Sequence, residues 1–201
     1  MFTRVAGVLL AAGQGSRFGR PKALVELDGQ TLAERGAATL LAGGADPVLV
    51  VTGAARVALP PEHEVHTVYN GEWRTGMGSS LRAGLRSPVL SQDVGAVVVA
   101  LADQPLVGAT AVARLIAAYR SGASVAVAAY DGQPRNPVLL AREHWAEVIA
   151  TATGDQGARA FLRARPDLVT LVECGDTGRP DDIDTPADLD RITGRYRCPP
   201  P

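Results

Sequence analysis

The sequence predicts an α/β fold with a mainly parallel sheet, because short apolar runs alternate with alanine-rich stretches of helical length. The apolar runs are bounded by turn residues, which is typical of strands buried on both faces. The stretches between them are long enough to cross back over a sheet, as parallel strands require. Of the 201 residues, 46% are hydrophobic, enough for a sizeable core. We expect one domain over residues 1–194 and a flexible tail over residues 195–201.

Strands and helices are expected in turn along the chain. Thr31 and Glu34 have the spacing of a capping box, which begins the first helix. Thr185 before Pro186 is a typical N-cap followed by proline, which begins the last one. The expected strands are Val5–Leu10, Pro47–Val51, Val65–Val68, Ala96–Leu101, Ser124–Ala129, Val138–Leu140 and Val169–Val172. The expected helices are Thr31–Leu41, Ser79–Leu85, Thr110–Tyr119, Glu143–Ala150, Gly157–Ala164 and Pro186–Ile192.

Composition excludes several classes of protein. A net charge of −1 argues against nonspecific binding to nucleic acid, which usually needs a basic face. We expect no membrane span and no signal peptide, and therefore a cytoplasmic protein. Cys174 and Cys198 are too far apart for CxxC spacing, and His63, His66 and His144 lack metal-ligand spacing. Without a G-x-S-x-G elbow, nucleophilic triad chemistry has little support.

The segment Leu10–Lys22 carries the strongest functional pattern, since an apolar run breaks into small residues, glycines and then cations. Backbone N–H groups in such a loop can approach phosphate oxygens, because few side chains block them. Arg17 and Lys22 can then neutralise a polyphosphate. The segment therefore predicts a nucleoside triphosphate site; the alternative is an ordinary strand–helix connection with surface cations.

Two commoner glycine motifs do not fit this segment. A dinucleotide fingerprint needs a third glycine where Phe18 stands, and Gly19 comes one residue late. A phosphate P-loop needs Ser or Thr after the lysine, and neither follows Lys22. Pro21 also removes a backbone N–H, which argues against a helix starting there and predicts an extended loop around the ligand.

Aspartates near two strand ends predict a divalent cation site. Asp103 follows a very apolar strand, and Mg²⁺ usually takes one or two carboxylates plus substrate phosphates. The alternative role for Asp103 is that of a turn residue before proline. Asp182 and Asp184 alternate around Ile183, so in a short strand both carboxylates would share one side and one of them could join Asp103.

A glycine-rich loop over residues 70–80 leads into the second helix. Its Gly76, Gly78 and the pair Ser79 and Ser80 suit close contact with the base or phosphate of a ligand. The alternative is a helix cap supplied by Ser79. Since ligands bind at the carboxyl ends of parallel strands, this loop and the loops at 11–22, 102–107 and 181–186 are expected to meet.

Together these segments resemble the MobA-like nucleotidyltransferase family, in particular its molybdenum cofactor cytidylyltransferase branch. Leu10–Lys22 is similar to the family signature L-A-A-G-x-S-x-R-M-G-x-x-K, with one extra Gly before Ser16. Other motifs then follow in family order, so that the resemblance runs from Val8 to Leu189. They are Asn70 to Leu85, Leu101 to Pro105, Asn136-Pro137, Gly154 to Arg159 and Asp182 to Pro186.

The resemblance implies a three-layer α/β/α Rossmann-like nucleotidyltransferase fold with a mainly parallel, mixed sheet. It implies transfer of a nucleoside monophosphate from an NTP to a phosphorylated acceptor, with release of pyrophosphate. It also implies Mg²⁺ held by Asp103 and Asp184, and charge stabilisation of the triphosphate by Arg17 and Lys22. The nucleoside would be held by Leu10, Ala11, Ala12, Gly13, Asn70, Gly78, Ser79 and Ser80.

The acceptor implied by the resemblance is molybdopterin or the molybdenum cofactor, with a molybdoenzyme as client. In this family guanylyl enzymes tend to have Leu-Ala-Gly-Gly, whereas this chain has Ala12 at the third position, so we expect CTP to be favoured over GTP. Two departures stand out: Phe18 replaces a common Met, and Arg135 stands where a glycine is expected, beside the acceptor side. The alternatives are guanylyl transfer, transfer to a sugar phosphate, or a noncatalytic nucleotide-binding module for cofactor delivery.

Overall fold

A computed structural model describes residues 4–59 and 65–196, with the side chains of the last two left undescribed. Its strands are β1 (Arg4–Leu10), β2 (Glu26–Leu27), β3 (Gln30–Thr31), β4 (Val48–Thr52), β5 (Val65–Tyr69), β6 (Val94–Leu101), β7 (Val125–Tyr130), β8 (Gln133–Ala141) and β9 (Val169–Glu173). Its helices are α1 (Leu32–Ala42), α2 (Met77–Leu85), α3 (Ala109–Arg120), α4 (Trp145–Thr151), α5 (Arg159–Ala164) and α6 (Pro186–Tyr196). His63, Cys198 and residues 197–201 of the expected tail lie outside the described residues.

Seven strands form one mixed sheet in the order β5-β4-β1-β6-β8-β7-β9. All of its pairings are parallel except those of β8, which is antiparallel to both β6 and β7. The reversal occurs at Asp131 and Gly132, whose φ angles of 52° and 74° make a two-residue hairpin turn. The mainly parallel, mixed sheet is therefore confirmed, and its one antiparallel strand comes from this turn.

Alternation along β1 divides the core into two layers. Val5 and Leu9 belong to the apolar cluster that α1 and α3 cover. Ala6 and Val8 belong to the opposite cluster, which α2, α4 and α5 cover. Successive side chains of a strand point to opposite faces, so a continuous apolar run fills both layers. The three-layer α/β/α arrangement is thus confirmed. Along the described residues no helix combines the length and apolarity that a bilayer crossing needs.

The chain changes direction at β1, and this positions the site. From β1 it passes through α1 to β4 and β5, then returns through α2 to β6, on the other side of β1. The two crossovers use opposite faces of the sheet. The loops that follow β1 and β6 therefore diverge, and a crevice opens between them at the carboxyl ends of the strands.

Candidate active site

A cleft of about 390 Å³, called here the first cleft, occupies this switch point. Its walls come from the ends of β1 and β6, from the loop after β1 and from the start of α2. Its lining residues are Leu10, Ala11, Ala12, Gly13, Gln14, Ser16, Lys22, Ala23, Trp73, Arg74, Gly76, Met77, Ser80, Leu101, Ala102, Asp103 and Asp155. The loops at 11–22, 70–80 and 102–107 therefore meet, as the sequence predicted.

The loop after β1 folds back on itself and is not extended, so that expectation was wrong. The N–H groups of Phe18 and Gly19 both donate to the carbonyl of Gly15, at 2.9 Å each. Gly15 has a φ of +63°, and a Cβ there would lie 2.1 Å from the carbonyl oxygen of Arg20, so only glycine fits the turn. Pro21 then precedes one turn of 3₁₀ helix over Lys22–Leu24, where its missing N–H costs no hydrogen bond.

Alternating charges connect three segments at the mouth of the cleft. The Nζ of Lys22 donates to Asp103 Oδ2 at 2.8 Å and to Asp184 Oδ1 at 2.5 Å. Arg17 reaches Asp184 Oδ2 at 3.3 Å with a side chain that is 74% exposed. Burial alone would lower the pKa of Lys22, but the charges and hydrogen bonds of the two aspartates outweigh it and raise that pKa above its ordinary value. The ammonium is therefore firmly charged and held in place.

Buried neighbours fix the position of Asp184. Ile183 is fully buried, as expected, although residues 178–184 form no strand, and its N–H donates to the carbonyl of Asp103 at 2.8 Å. Thr185 and Asp188 exchange side-chain and backbone hydrogen bonds in a capping box at the start of α6. Ile183 also packs in a third apolar cluster with Phe18 and residues of α6. The loop after β1 and the acidic segment are therefore held against each other.

The two carboxylates suit a divalent cation. Asp103 and Asp184 already present oxygens to one shared point, the Nζ of Lys22. Within residues 4–59 and 65–196, no group of three or more His, Cys, Asp or Glu residues forms a metal cluster. A pair of carboxylates with the remaining positions open is the donor set that Mg²⁺ adopts when substrate phosphates complete its shell. Asp182 instead accepts a hydrogen bond from Gln104 Nε2 at 2.9 Å.

The residues predicted to hold a nucleoside fall into two groups. Leu10, Ala11, Ala12, Gly13 and Ser80 line the cleft. Asn70, Gly78 and Ser79 lie behind the wall of the cleft. The buried Asn70 side chain donates there to the hydroxyls of Ser79 and Ser80, at 2.8 and 3.1 Å. Gly78 is buried where α2 crosses the backbone of residues 152 and 153.

The Asn70 amide also secures the turn that precedes α2. Its Oδ1 accepts from the N–H of Glu72 at 2.9 Å. Ser79 donates to the carbonyls of Glu72 and Gly76, at 3.0 and 2.8 Å. Asn70 and Ser79 thus shape the loop, while Ser80 reaches the cleft.

Sequence reasoning missed the aromatic side of the first cleft. Trp73 is half-buried in its wall, and the guanidinium of Arg74 lies 4.3 Å from the centre of its ring. The backbone of Gly53 makes room for this indole, since a Cβ there would lie 2.5 Å from the Trp73 Cβ and 2.9 Å from the Ala12 Cβ. The signal was present in the Trp between an acidic and a basic residue, but one sequence gives no reason to pair it with Gly53.

A second cleft, of about 800 Å³, lies farther along the same edge of the sheet, over β7, β8 and β9. Its lining residues are Gln104, Val127, Pro134, Arg135, Asn136, Val138, Arg159, Leu162, Arg163, Pro166, Val169, Leu171, Pro180 and Asp182. A narrow crevice of about 30 Å³ lies between the clefts and shares Leu10 and Leu101 with the first, and Asn136 and Arg159 with the second. Arg135, which was expected beside the acceptor, is part of the wall of the second cleft.

The fold and the site define a nucleotidyltransferase, with a cleft of about 390 Å³ at the switch point and a lysine held between two aspartates. The chain belongs to the MobA-like NTP transferase family, whose domain model matches residues 7–169. The family resemblance of the motifs is thereby confirmed.

Relatives with different names match nearly the whole chain. Nicotine blue oxidoreductase of Paenarthrobacter nicotinovorans is 40% identical over 202 residues, which cover 94% of this chain and 96% of the relative. Purine catabolism protein PucB of Bacillus subtilis (strain 168) is 30% identical over 201 residues, covering 92% and 94%. The crystal structure of a Mycobacterium tuberculosis Rv0371c homologue from Mycobacterium sp. strain JC1 has a TM-score of 0.80 at 28% identity, covering 97% of this chain and 98% of that one.

Proposed function

We propose that this enzyme transfers CMP from CTP to a phosphorylated acceptor, molybdopterin or the molybdenum cofactor, and releases pyrophosphate. The observation that carries the proposal is the contact of Lys22 with both Asp103 and Asp184 at the mouth of the first cleft. Pure nucleotide binding does not require two carboxylates beside the cation that faces the triphosphate. Transfer of a nucleotidyl group does require such carboxylates, because the reaction depends on positioning the triphosphate and on neutralising its charge.

The reaction needs no nucleophile from the protein. A phosphate oxygen of the acceptor attacks the α-phosphorus of the nucleotide, and a new P–O bond forms. The bond from the α-phosphorus to the bridging oxygen breaks, and pyrophosphate leaves with that oxygen and its electrons. Lys22 and Arg17 stabilise the negative charge that builds up on the triphosphate. The backbone of residues 10–13 holds the nucleotide close to the sheet edge.

Asp103 and Asp184 would hold the Mg²⁺ that we propose as cofactor. When bound, that ion would supply positive charge that stabilises the triphosphate and the departing pyrophosphate. Lys22 shares its two carboxylate partners with that site. The side chain therefore has to turn from the aspartates towards the phosphates when the nucleotide binds, which a long, flexible ammonium side chain allows.

Ala12 is proposed to select the base. Its Cβ lies against the close packing of Gly53 and Trp73 in the cleft wall, so it takes space that glycine would leave open. A narrower base pocket favours a pyrimidine over a purine, and hence CTP over GTP. Trp73 offers an aromatic face beside this position.

Pyrophosphate release tests the proposal directly. Purified protein is mixed with CTP, GTP or UTP and Mg²⁺, with and without molybdopterin. We expect release that requires the acceptor and is fastest with CTP. A clear preference for GTP would overturn the base assignment alone, and a phosphorylated sugar as the better acceptor would move the activity to sugar-phosphate nucleotidyl transfer. If Asp103→Ala left nucleotide affinity and all measurable function intact, a noncatalytic cofactor-delivery module would be the better description.

Oxidoreduction is the second candidate, because a relative 40% identical over nearly its full length is named as an oxidoreductase. It is tested by following NADH or NADPH oxidation in the presence of nicotine blue. Cofactor oxidation coupled to loss of nicotine blue, with no pyrophosphate released from any NTP, would favour this candidate. Client delivery to a molybdoenzyme, and a cytoplasmic location, belong to the proposal and follow from the acceptor.

A further inference from the structure

The second cleft contains cations that lack acidic partners. Arg135, Arg159 and Arg163 line it, all three are exposed, and none forms an ion pair with any described residue. Arg135 makes only a 3.0 Å hydrogen bond to the neighbouring carbonyl of Pro134. Many other arginines of the chain are paired, as Arg114 is with Asp176 and Arg165 is with Asp167. Unpaired guanidinium groups that share one concave wall suit an anionic ligand.

Much of the remaining wall is apolar, and its other polar residues are Gln104, Asn136 and Asp182. Val127, Val138, Leu162, Val169 and Leu171 line the same cleft. Leu171 is 51% exposed, which is unusual among the large apolar side chains of the described chain. A site with an apolar floor and a few convergent charged groups is typical of small-molecule binding. The ligand therefore has an apolar body as well as a negative charge.

The connection between the clefts sets the orientation of such a ligand. Gln104 follows Asp103 directly and lines the second cleft, and the narrow crevice between the clefts reaches the second one at Asn136 and Arg159. Arg135 and Arg163 line the second cleft but not this crevice. An acceptor in the second cleft that directs its reacting phosphate towards the first cleft would therefore place its far end near these two arginines.

We propose that the acceptor is an amphipathic molecule with an apolar body and a second anionic group, and that Arg135 and Arg163 recognise that second group. This inference rests on the proposed function for the place of the acceptor, and it adds a specificity-determining role for two residues.

Binding of 1-naphthyl phosphate tests the inference, with neutral 1-naphthol as the matched probe. Naphthyl fluorescence is titrated with wild type, Arg135→Gln/Arg163→Gln, Arg163→Lys and the control Arg120→Gln, which changes an exposed arginine at the end of α3. We expect the phosphate to bind wild type and the control equally, and the double variant about tenfold more weakly. Arg163→Lys should keep most of the affinity, and 1-naphthol should bind every protein weakly and alike.

Lys22→Met distinguishes the two clefts, since probe binding in the second cleft should not change when the lysine of the first is removed. Equal binding of 1-naphthyl phosphate by wild type and the double variant would overturn the inference, as would a loss confined to Lys22→Met.

Pyrophosphate release by the same proteins distinguishes the arginine role from the proposed transfer activity. Release by wild type with an unchanged acceptor KM in the double variant contradicts the arginine role alone. Arginine-dependent probe binding without release from any NTP contradicts the transfer activity alone.

Discussion

The two clefts at the carboxyl edge of the sheet balance their charges in opposite ways. In the first, Lys22 lies between Asp103 and Asp184, and Asn70 makes three hydrogen bonds behind the wall. In the second, Arg135, Arg159 and Arg163 form no ion pair with any described residue, and they share the wall with apolar side chains and with Gln104, Asn136 and Asp182. Groups that are already paired are held in place before a ligand arrives, whereas unpaired charges select the ligand by its own charge. The difference agrees with the proposal that the first cleft carries the reaction and the second recognises the acceptor.

Replacing Asp103 should have the largest effect on the rate, because it removes one of the two carboxylates that contact Lys22 in the first cleft. We expect Asp103→Asn to lower the rate of pyrophosphate release about 1000-fold, while the protein stays folded. The rate is measured with CTP, Mg²⁺ and acceptor, and the fold by circular dichroism. Asp190→Asn, on the exposed face of α6, is the control and should keep the wild-type rate.

Removing the lysine should cost less than removing the carboxylate. Lys22→Met is expected to lower kcat about 100-fold, because the lysine cation no longer stabilises the triphosphate. Steady-state kinetics with CTP measure the change. Arg20→Met, in the same loop but with its guanidinium near Phe18, should change kcat little. A rate for Lys22→Met within a few-fold of wild type would show that the lysine only holds the loop after β1 against Asp103 and Asp184.

Asn70, beside the first cleft, and Asn136, in the second, allow their contributions to the free energy of unfolding to be compared. Asn70→Ala should lower the free energy of unfolding by about 2 kcal/mol, because Ser79, Ser80 and the N–H of Glu72 lose buried partners. The Asn136 side chain makes no hydrogen bond to any described residue, so Asn136→Ala should cost clearly less. Urea unfolding measures both. Equal decreases in the free energy of unfolding would mean that the hydrogen bonds beside the first cleft do not stabilise it more than the second.

The smallest expected effect concerns the base. Ala12→Gly should reduce the preference for CTP over GTP about tenfold. One methyl group in a close-packed pocket changes the ratio of kcat/KM for two substrates by roughly that factor. The ratio of kcat/KM for the two nucleotides is the measurement. Ala6→Gly makes the same chemical change in a buried β1 side chain that does not line the cleft, and it should leave the ratio unchanged.

Local patterns predicted the fold well, because they depend on neighbours in sequence. The alternation in β1, the capping box at Thr31 and the buried Ile183 each follow from a few adjacent residues. The antiparallel direction of β8 was missed, although the pair Asp131 and Gly132 is a strong hairpin signal. An apolar strand has the same composition in either direction, so only the turn carries that information.

The site was less predictable, because its contacts join distant residues. Lys22 meets aspartates that are 81 and 162 positions away, and only the family resemblance grouped them in advance. The folded-back turn at Gly15 was mistaken for an extended loop, since Pro21 excludes an α-helix without excluding a tight turn. The closeness of Gly53 to Trp73, and the shared wall of Arg135 and Arg163, depend on tertiary packing alone.

The fate of each phosphorus atom of CTP tests the central claim most directly. The enzyme is incubated with Mg²⁺, acceptor and CTP labelled at either the α or the γ position, and the products are separated. We expect the α label in the acceptor and the γ label in pyrophosphate, and Asp103→Asn should slow the appearance of both about 1000-fold. The α label remaining in CTP, or appearing only as free CMP in the presence of acceptor, would contradict nucleotidyl transfer.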